Sequence, residues 1–304
     1  MKILICDKIS EKGVEKLKNA GFTVDVKTGM KPEELIGVIS SYHAVVVRSA
    51  TKITKDVIEA AKELKLIVRG GVGLDNVDAE SAKKKNIKVC NTPGASTESV
   101  AELTVGLLLA ICRKIPQADL SMKNGKWEKK IFEGIELYKK TLGLIGIGRI
   151  GKRVAEIAQK AFEMKILAYD PYVDSQQLEK ENIKLVSLDE LLSQSDFISL
   201  HLPKTQETKG LIGENAFSKM KKGVIIVNCA RGGVVDEVSL LKAIENGTVA
   251  FAALDVFEKE PLPPDSPLLK CEKLILTPHL GASTVEGQAR VSDEVADIII
   301  KELK

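Results

Sequence analysis

The chain has 304 residues, which is long enough for two domains with separate hydrophobic cores. Its 45 Lys and Arg residues and 42 Asp and Glu residues give a formal net charge of +3, and no large block of like charges stands out. The composition therefore gives no support to nucleic-acid binding, and no apolar stretch is long enough to span a bilayer.

The first ninety residues alternate short apolar runs with helical patterns. Strands are predicted at 3–6, 23–26, 44–48, 66–68 and 87–90, and helices at 11–19, 32–39, 54–61 and 77–84. Short alternating units of this kind, with apolar strands, are typical of a parallel sheet that is covered on both faces. The first part of the chain is therefore predicted to be a doubly wound α/β domain.

The middle of the chain breaks this alternation. Residues 91–95 are predicted to form a hinge, and a helix is predicted over 97–112. That helix is apolar on nearly all faces, which is typical of burial between domains or against another subunit. The polar segment 117–140, which carries Trp127, is predicted to be irregular. Strands and helices then alternate again up to a last amphipathic helix, predicted over 284–302.

The strongest local motif is Gly-x-Gly-x-x-Gly at Gly146, Gly148 and Gly151. A predicted strand leads into it, a helical pattern leads out, and the next predicted strand ends at Asp170. In this setting the spacing indicates a dinucleotide site rather than a loop that only packs a helix. The glycines allow a tight turn, a close approach of pyrophosphate and packing of helix on strand, and Asp170 is predicted to bind the ribose hydroxyls.

Three ionisable residues in the last quarter of the chain each follow a predicted strand: Arg231, Glu260 and His279. Ligands bind at the carboxyl ends of strands in α/β folds, so we expect these side chains to converge. A guanidinium can bind a carboxylate through two hydrogen bonds, and a carboxylate–imidazole pair can move a proton. The alternative is three unrelated surface loops, which is less favoured because all three residues close strands of one predicted sheet.

Two other strand ends carry weaker signals. The glycine cluster within 69–78 could bind a substrate carboxylate or phosphate through its amides, or could only form a tight turn. Arg48 and Ser49 could meet the substrate, or could be a surface arginine and a helix-capping hydroxyl. The sequence favours neither reading. His43 is predicted to be structural, and His201 either lines the cofactor cleft or packs in the core.

The cysteine pattern predicts a reducing compartment. There are five cysteines, far apart and without metal-ligand spacing, so they are predicted to be small buried side chains rather than disulfides or a metal site. The chain opens directly on a predicted strand, so we expect no signal peptide and a cytoplasmic location.

Taken together, these motifs resemble those of the D-isomer-specific 2-hydroxyacid dehydrogenases. The matching segments run almost end to end: 47–51, 73–78, 99–102, 125–127, 146–151, 228–233, 253–257 and 277–284. The last four are specific to the family as a whole, and the first four favour the branch that acts on 3-phosphoglycerate.

The resemblance implies a fold of two doubly wound parallel-sheet domains in the α/β class, with a Rossmann-type nucleotide domain inserted into a flavodoxin-like substrate domain. The substrate domain would be 1–91 with 284–304, and the NAD-binding domain 92–283. Family members are usually dimers joined through the nucleotide domain, so a homodimer is expected, with the helix at 97–112 as a candidate interface. Longer members carry a C-terminal serine-binding regulatory domain, which this chain is expected to lack.

The resemblance also implies a role for each catalytic candidate. Arg231 would bind the carboxylate and carbonyl of the substrate, His279 would be the acid–base, and Glu260 would orient His279 and favour its charged form. No metal is expected.

Substrate and cofactor contacts are implied for two larger sets. Arg48 and Ser49 would approach the far end of the substrate, and the backbone of Val72 and Gly73 would contribute to carboxylate binding. Some relatives have Thr where this chain has Val72, so only a backbone role is carried over. Asp255 would face the nicotinamide carboxamide. The residues implied to contact NAD are Gly146, Gly148, Arg149, Ile150, Gly151, Asp170, Cys229, Ala230, Arg231, Asp255, His279, Gly281 and Ala282.

The activity implied is oxidation of 3-phospho-D-glycerate to 3-phosphohydroxypyruvate with NAD, the entry to serine synthesis. NAD is expected rather than NADP, because Asp170 would repel a 2′-phosphate and no arginine lies in 171–174 to neutralise one. The first alternative is a glyoxylate or hydroxypyruvate reductase on the same scaffold. A corepressor-like NAD-binding regulator is less favoured, because the chain shows no extension for partner peptides.

Overall fold

The computed structural model describes residues 1–304, the side chain of residue 177 excepted. Contacts within the chain divide it into two compact units. The first unit is Met1–Thr97 with Ala282–Lys304, and the second unit is Glu98–Gly281. The domain limits predicted from the sequence, at 91 and 284, lie six and two residues from these divisions and stay a prediction.

Strands and helices alternate through both units. The first unit contains β1 (Lys2–Ile5), α1 (Glu11–Asn19), β2 (Thr23–Val26), α2 (Pro32–Val38), β3 (Ala44–Val47), α3 (Lys55–Ala60), β4 (Leu66–Arg69), α4 (Ala79–Lys84) and β5 (Lys88–Asn91). The chain then continues through α5 (Thr97–Cys112), α6 (Ile115–Lys123), β6 (Thr141–Ile145), α7 (Arg149–Phe162), β7 (Lys165–Tyr169), α8 (Ser175–Glu179), β8 (Ile183–Leu185), α9 (Leu188–Gln194), β9 (Phe197–Leu200), α10 (Glu214–Ser218), β10 (Val224–Asn228), α11 (Glu237–Glu245), β11 (Val249–Leu254) and β12 (Leu274–Leu276). Helix α12 (Val285–Leu303) closes the first unit.

The first unit is a five-stranded parallel sheet in the order β2-β1-β3-β4-β5. This is the flavodoxin-like order of a doubly wound fold. The central strand β3 is buried along its whole length, because helices cover both faces of the sheet. The last helix packs on one of these faces, where its Val291 and Val295 share a core with Ile3 and Ile5 of β1.

The second unit is a seven-stranded parallel sheet in the order β12-β11-β10-β9-β6-β7-β8. The strand order reverses at β6, which lies between β7 and β9. Ligands of open α/β sheets bind at such a reversal, beyond the carboxyl ends of the strands. The predicted fold class, two doubly wound parallel sheets, is confirmed.

The prediction that 117–140 is irregular is wrong at its start. The structure has helix α6 at Ile115–Lys123, followed by a short 3-10 turn at Lys129–Phe132. The only residue that α6 buries is Ser121, whereas its Leu120 and Met122 are exposed. No apolar stripe faces a core, so the periodicity that reveals most helices is missing here.

Cys6, Cys112 and Cys229 are buried as predicted, whereas Cys90 and Cys271 are only half-buried. All five are free thiols, and the cytoplasmic location stays a prediction. Among the described residues, no group of His, Cys, Asp and Glu side chains could hold a metal ion. None of the helices in the described part of the chain is both long and apolar enough to cross a membrane.

Candidate active site

The glycine-rich turn between β6 and α7 uses its three glycines for three different purposes. Gly146 has a φ of +92°, and a Cβ there would lie 2.8 Å from the backbone carbonyl of His201. A Cβ on Gly151 would lie 2.4 Å from the carbonyl oxygen of Gly146, so only glycine lets the helix pack this closely. A Cβ on Gly148 would meet nothing within 4 Å. The space beside Gly148 is therefore open to a ligand, as the fingerprint predicts.

The start of α7 supplies donors for an anion. Helix α7 begins at Arg149, followed by Ile150, and its N-cap Gly148 gives no side-chain hydrogen bond to the first turn. Amides at such a helix start suit a pyrophosphate. Asp170 follows β7, and its carboxylate accepts hydrogen bonds from the N–H groups of Ile147 (3.0 Å) and Tyr172 (3.0 Å). A carboxylate has about four acceptor positions, so capacity remains for ribose hydroxyls.

The three ionisable candidates follow three neighbouring strands. Strands β10, β11 and β12 are adjacent and parallel, so their carboxyl ends share one edge of the sheet. Arg231 follows β10, Glu260 follows β11 and His279 follows β12. The structure thus places all three at that edge of the second unit, as the sequence analysis expected.

Glu260 and His279 form a direct pair. The distance from His279 Nδ1 to Glu260 Oε2 is 2.8 Å, and Glu260 Oε1 accepts a hydrogen bond from the Phe257 N–H at 3.0 Å. Burial acts to raise the pKa of Glu260, but these hydrogen bonds and the charges of His279 and Arg231 outweigh it, so the pKa lies below its ordinary value. The carboxylate is therefore ionised, while the His279 side chain is 45% exposed and accessible.

The loop that carries Arg231 is shaped by Asn228, the last residue of β10. The buried Asn228 side chain accepts a hydrogen bond from the Ala230 N–H (3.0 Å) and donates one to the Arg231 carbonyl (3.0 Å). The Arg231 guanidinium donates to the Ala230 carbonyl at 2.7 Å. Sequence reasoning did not single out Asn228. A polar residue closing an apolar strand was the available signal.

Gly232 brings the loop of Arg231 against the loop of Glu260. A Cβ on Gly232 would lie 1.7 Å from the carbonyl oxygen of Phe257, so the two backbones are in direct contact. Sequence reasoning also missed this glycine as a site residue, because the contact joins segments that are far apart in the chain.

Asp255, directly after β11, has no exposed surface. Its carboxylate accepts hydrogen bonds from the Thr277 hydroxyl (2.6 Å), the Leu280 N–H (2.7 Å) and the Gly281 N–H (2.9 Å). Asp255 therefore holds the loop that carries His279, a contact the sequence analysis did not foresee.

Cys229 and Ala230 are buried beside Arg231. Burial raises the pKa of the Cys229 thiol to about 12, so it stays protonated and is no nucleophile. Ala282, also predicted to contact NAD, is the first residue of the second segment of the first unit.

His201 and His43 take structural places. The His201 ring is buried, with its Nε2 at 2.9 Å from the Ser199 hydroxyl, and burial lowers its pKa to about 3. The His201 imidazole is therefore neutral and enclosed, which favours a role in packing over a role in the cofactor cleft. His43 Nδ1 accepts a hydrogen bond from the Lys2 N–H at 3.1 Å, as a structural residue would.

The first unit holds the predicted substrate residues Arg48 and Ser49 on the turn after β3. Asp7 accepts hydrogen bonds from the N–H groups of Arg48 (2.5 Å) and Thr51 (3.1 Å). Asn76 donates from its side chain to the carbonyls of the same two residues, at 2.7 and 2.6 Å. The turn is therefore fixed from both sides.

An open cavity of about 710 Å³ lies at this turn in the first unit, and its lining includes Lys8, Arg48, Ser49 and Thr284. The guanidinium of Arg48 contacts the Gln288 side chain, and its Nε is buried without a hydrogen-bond partner among the described residues.

Val72 and Gly73 lie in the neighbouring loop after β4. The Asn91 side chain donates to the Val72 carbonyl at 2.5 Å, and the Val72 side chain is partly exposed. The same loop carries Asn76, which bonds the Arg48 turn. The structure thus brings the two predicted substrate loops of the first unit next to each other.

The family follows from a direct comparison. The family model described as D-isomer specific 2-hydroxyacid dehydrogenase, NAD binding domain, matches residues 105–281. The chain belongs to the D-isomer specific 2-hydroxyacid dehydrogenases. This confirms the resemblance seen in the motifs.

Relatives match along the whole chain. It is 53% identical over 304 residues to D-3-phosphoglycerate dehydrogenase from Archaeoglobus fulgidus, and the alignment covers 100% of this chain and 58% of the relative. It is 48% identical over 305 residues to hydroxypyruvate reductase from Thermotoga maritima, and the alignment covers 99% of this chain and 98% of the relative. The chain therefore spans little more than half the length of the phosphoglycerate dehydrogenases it matches.

A solved structure supports the cofactor. NAD-dependent formate dehydrogenase from Staphylococcus aureus, in complex with NAD, matches with a TM-score of 0.86 and 31% identity, covering 100% of this chain and 96% of that chain. NAD is the cofactor of this domain family, and the residues present fit it. The open space beside Gly148, the start of α7 and the carboxylate of Asp170 are what a dinucleotide requires.

Proposed function

We propose that the protein catalyses the NAD-dependent oxidation of 3-phospho-D-glycerate to 3-phosphohydroxypyruvate. The observation that carries this proposal is the 2.8 Å hydrogen bond between His279 and Glu260, at the same sheet edge as Arg231. This hydrogen bond pairs an imidazole that can transfer a proton with an ionised carboxylate, and the guanidinium of Arg231 can bind the carboxylate of a substrate. The identity with phosphoglycerate dehydrogenases supports the choice of substrate.

The residues divide the chemistry between them. Arg231 holds the substrate carboxylate through paired hydrogen bonds, which fixes the carbon that reacts. His279 takes the proton of the C2 hydroxyl as the general base, and in reduction it returns that proton to the carbonyl oxygen. Glu260, ionised because its pKa is lowered, stabilises the imidazolium that forms. NAD, when bound, supplies the acceptor for the hydride that leaves C2.

Arg48 and Ser49 are the proposed phosphate contacts. Burial lowers the pKa of the Arg48 guanidinium, against the effect of the Asp7 carboxylate, and the group remains a cation at neutral pH. A partly desolvated guanidinium interacts more strongly with an anion than a fully hydrated one. Lys8 lines the same cavity and adds a second cation.

The second candidate function is reduction of hydroxypyruvate or glyoxylate, which the identity with the Thermotoga maritima hydroxypyruvate reductase favours. Both candidates use the same acid–base pair and differ at the far end of the substrate. The deciding experiment measures kcat/KM with NADH for 3-phosphohydroxypyruvate, hydroxypyruvate, glyoxylate and pyruvate.

We expect the phosphorylated substrate to have the highest kcat/KM. A higher value for hydroxypyruvate or glyoxylate would refute the phosphoglycerate assignment and support the second candidate. NADH binding without turnover of any 2-keto acid would instead indicate the corepressor-like regulator.

Helix α5, the candidate interface of the expected homodimer, has part of its apolar surface buried within the second unit, and its role as an interface stays a prediction. Its Val105, Leu108 and Ile111 are buried in the core of the second unit itself, together with Leu144 of β6. Those apolar faces are therefore already covered without a second subunit.

We propose that a second copy of the chain covers the exposed apolar side chains of α6 and of the segment after it. Leu120, Met122 and Ile131 are exposed there, and Trp127 is 81% exposed. Exposed apolar side chains that form one contiguous patch on a soluble protein mark an interaction site. Light scattering after gel filtration should report a dimer, and Leu120→Glu should yield a monomer. Leu269→Glu, at another exposed leucine of the second unit, is the matched control and should stay dimeric.

A further inference from the structure

The backbone of His279 has an unusual conformation. Its φ is +55°, in the left-handed region that non-glycine residues rarely adopt. Such a conformation persists only when the surrounding structure determines it. The residues on either side of His279 show what determines it here.

One carboxylate binds both flanks of His279. Asp255 accepts the Thr277 hydroxyl before the histidine and the N–H groups of Leu280 and Gly281 after it, at 2.6 to 2.9 Å. The backbone of Asp255 is itself anchored, since its N–H donates to the carbonyl of Asn228 in the adjacent strand at 2.9 Å. Asp255 therefore links a rigid sheet to the turn on which His279 sits.

The chemistry of the three contacts requires a carboxylate. All three partners are donors, and an ionised carboxylate only accepts. An amide at this position would turn an NH2 group toward at least one donor and leave it unpaired in a fully buried place. Hydrogen bonds to backbone N–H groups also compensate the burial of the charge.

We infer that Asp255, together with Thr277, is the positioning residue that holds the His279 imidazole in reach of Glu260. The inference rests on the proposed acid–base role of His279. It assigns to Asp255 a task inside the protein, separate from the contact with the nicotinamide that the family resemblance implies. Thr277 shares the task and has no role in any assignment above.

The two tasks of Asp255 can be separated by the variant chosen. Thr277→Val removes one hydrogen bond of the network and leaves the Asp255 carboxylate in place. Asp255→Asn disturbs the whole network. Asp265→Asn, an exposed carboxylate in the same unit, is the charge-matched control, and Thr23→Val in β2 is the control for the loss of a threonine hydroxyl.

The test is an NMR titration of histidine rings in the protein without cofactor. The chain has only three histidines, His43, His201 and His279, so ring-labelled protein gives three signals, and His279→Asn identifies the third. With Asp255 and Thr277 intact, the Glu260→Gln substitution should shift the titration midpoint of the His279 ring toward acid. In the Thr277→Val background this shift should fall by at least half, and in the Asp255→Asn background it should vanish. Unchanged His43 and His201 signals confirm the fold in every variant.

The same shift in all backgrounds would overturn the inference, because His279 would then meet Glu260 without help from Asp255. A second readout is NADH affinity by fluorescence, which Thr277→Val should leave unchanged while kcat falls about tenfold, typical of a small misplacement of an acid–base. A loss of NADH affinity with an unchanged His279 titration would assign Asp255 to the cofactor alone. The titration needs no substrate, so a failed substrate assignment leaves this result readable.

Discussion

Gly232 and Phe257 lie so close together that a Cβ on the glycine would be 1.7 Å from the phenylalanine carbonyl oxygen. This contact joins the loop of Arg231 to the loop of Glu260. The Phe257 N–H donates in turn to Glu260, so the position of the carboxylate depends on how closely the two loops approach. The binder of the substrate carboxylate and the partner of the acid–base are thus coupled through one glycine.

Gly232→Ala should therefore lose activity by displacing Phe257 and, with it, Glu260. We expect kcat to fall at least about tenfold and the free energy of unfolding to fall by about 1–3 kcal/mol, the usual cost of overpacking. Steady-state kinetics and thermal unfolding measure the two effects. Gly37→Ala in α2, where a Cβ meets nothing within 4 Å, is the control and should change neither quantity for the worse. Full activity in Gly232→Ala would show that the loops tolerate separation.

Glu260→Gln should move the basic limb of the pH profile of reduction toward acid. The pKa of Glu260 is lowered in the folded protein, so its carboxylate is ionised across the working range and stabilises the His279 imidazolium. Without that charge the imidazolium loses its proton at lower pH, and the required proton donor is lost earlier. A shift of roughly one pH unit corresponds to about 1.4 kcal/mol. Glu258→Gln, an exposed neighbour, should leave the profile in place. If Glu260→Gln gave the same pH profile as the wild type, the hydrogen bond between His279 and Glu260 would have no role in catalysis.

The protein should prefer NAD over NADP, because a 2′-phosphate would meet the carboxylate of Asp170. Asp170→Asn removes the charge and keeps one acceptor oxygen for the N–H groups of Ile147 and Tyr172, so we expect it to narrow the preference for NAD over NADP at the cost of one of these hydrogen bonds. Asp170→Ala removes both the charge and the acceptor oxygens, so it should also weaken NAD binding. Kd values for the two reduced cofactors, measured by fluorescence, decide the matter. Equal affinity of the wild type for both cofactors is the result that contradicts this prediction.

Arg48→Ala should distinguish phosphorylated from unphosphorylated substrates. We expect kcat/KM for 3-phosphohydroxypyruvate to fall by at least about thirtyfold, equivalent to about 2 kcal/mol for a charge-assisted contact, and to change little for glyoxylate. Lys52→Ala removes an exposed cation from the same segment and serves as the control. An equal loss with both substrates would mean that Arg48 supports the fold of the Asp7 and Asn76 network rather than the phosphate.

Much of the fold could be read from local patterns. The predicted limits of α1, β2 and α5 agree with the structure. Helix α1 is amphipathic and α5 buries more than half of its residues, whereas β2 is an edge strand without a buried residue. The order of strands and helices then specified two parallel sheets, and the glycine spacing specified the turn before α7. The grouping of Arg231, Glu260 and His279 followed from the rule that parallel strands end at one edge.

Contacts between distant segments lay beyond those patterns. Helix α6 was not predicted because only Ser121 is buried in it, so its sequence lacks the apolar stripe that packing against a core requires. The tasks of Gly232, Asn228 and Asp255 depend on backbones that meet only after the strands have aligned. The sequence by itself determined which residue types stand at the strand ends and hence the class of chemistry. The tertiary structure alone decided which carboxylate faces His279 and which holds its loop, because a side chain's partner is set by distances across the sheet rather than by spacing along the chain.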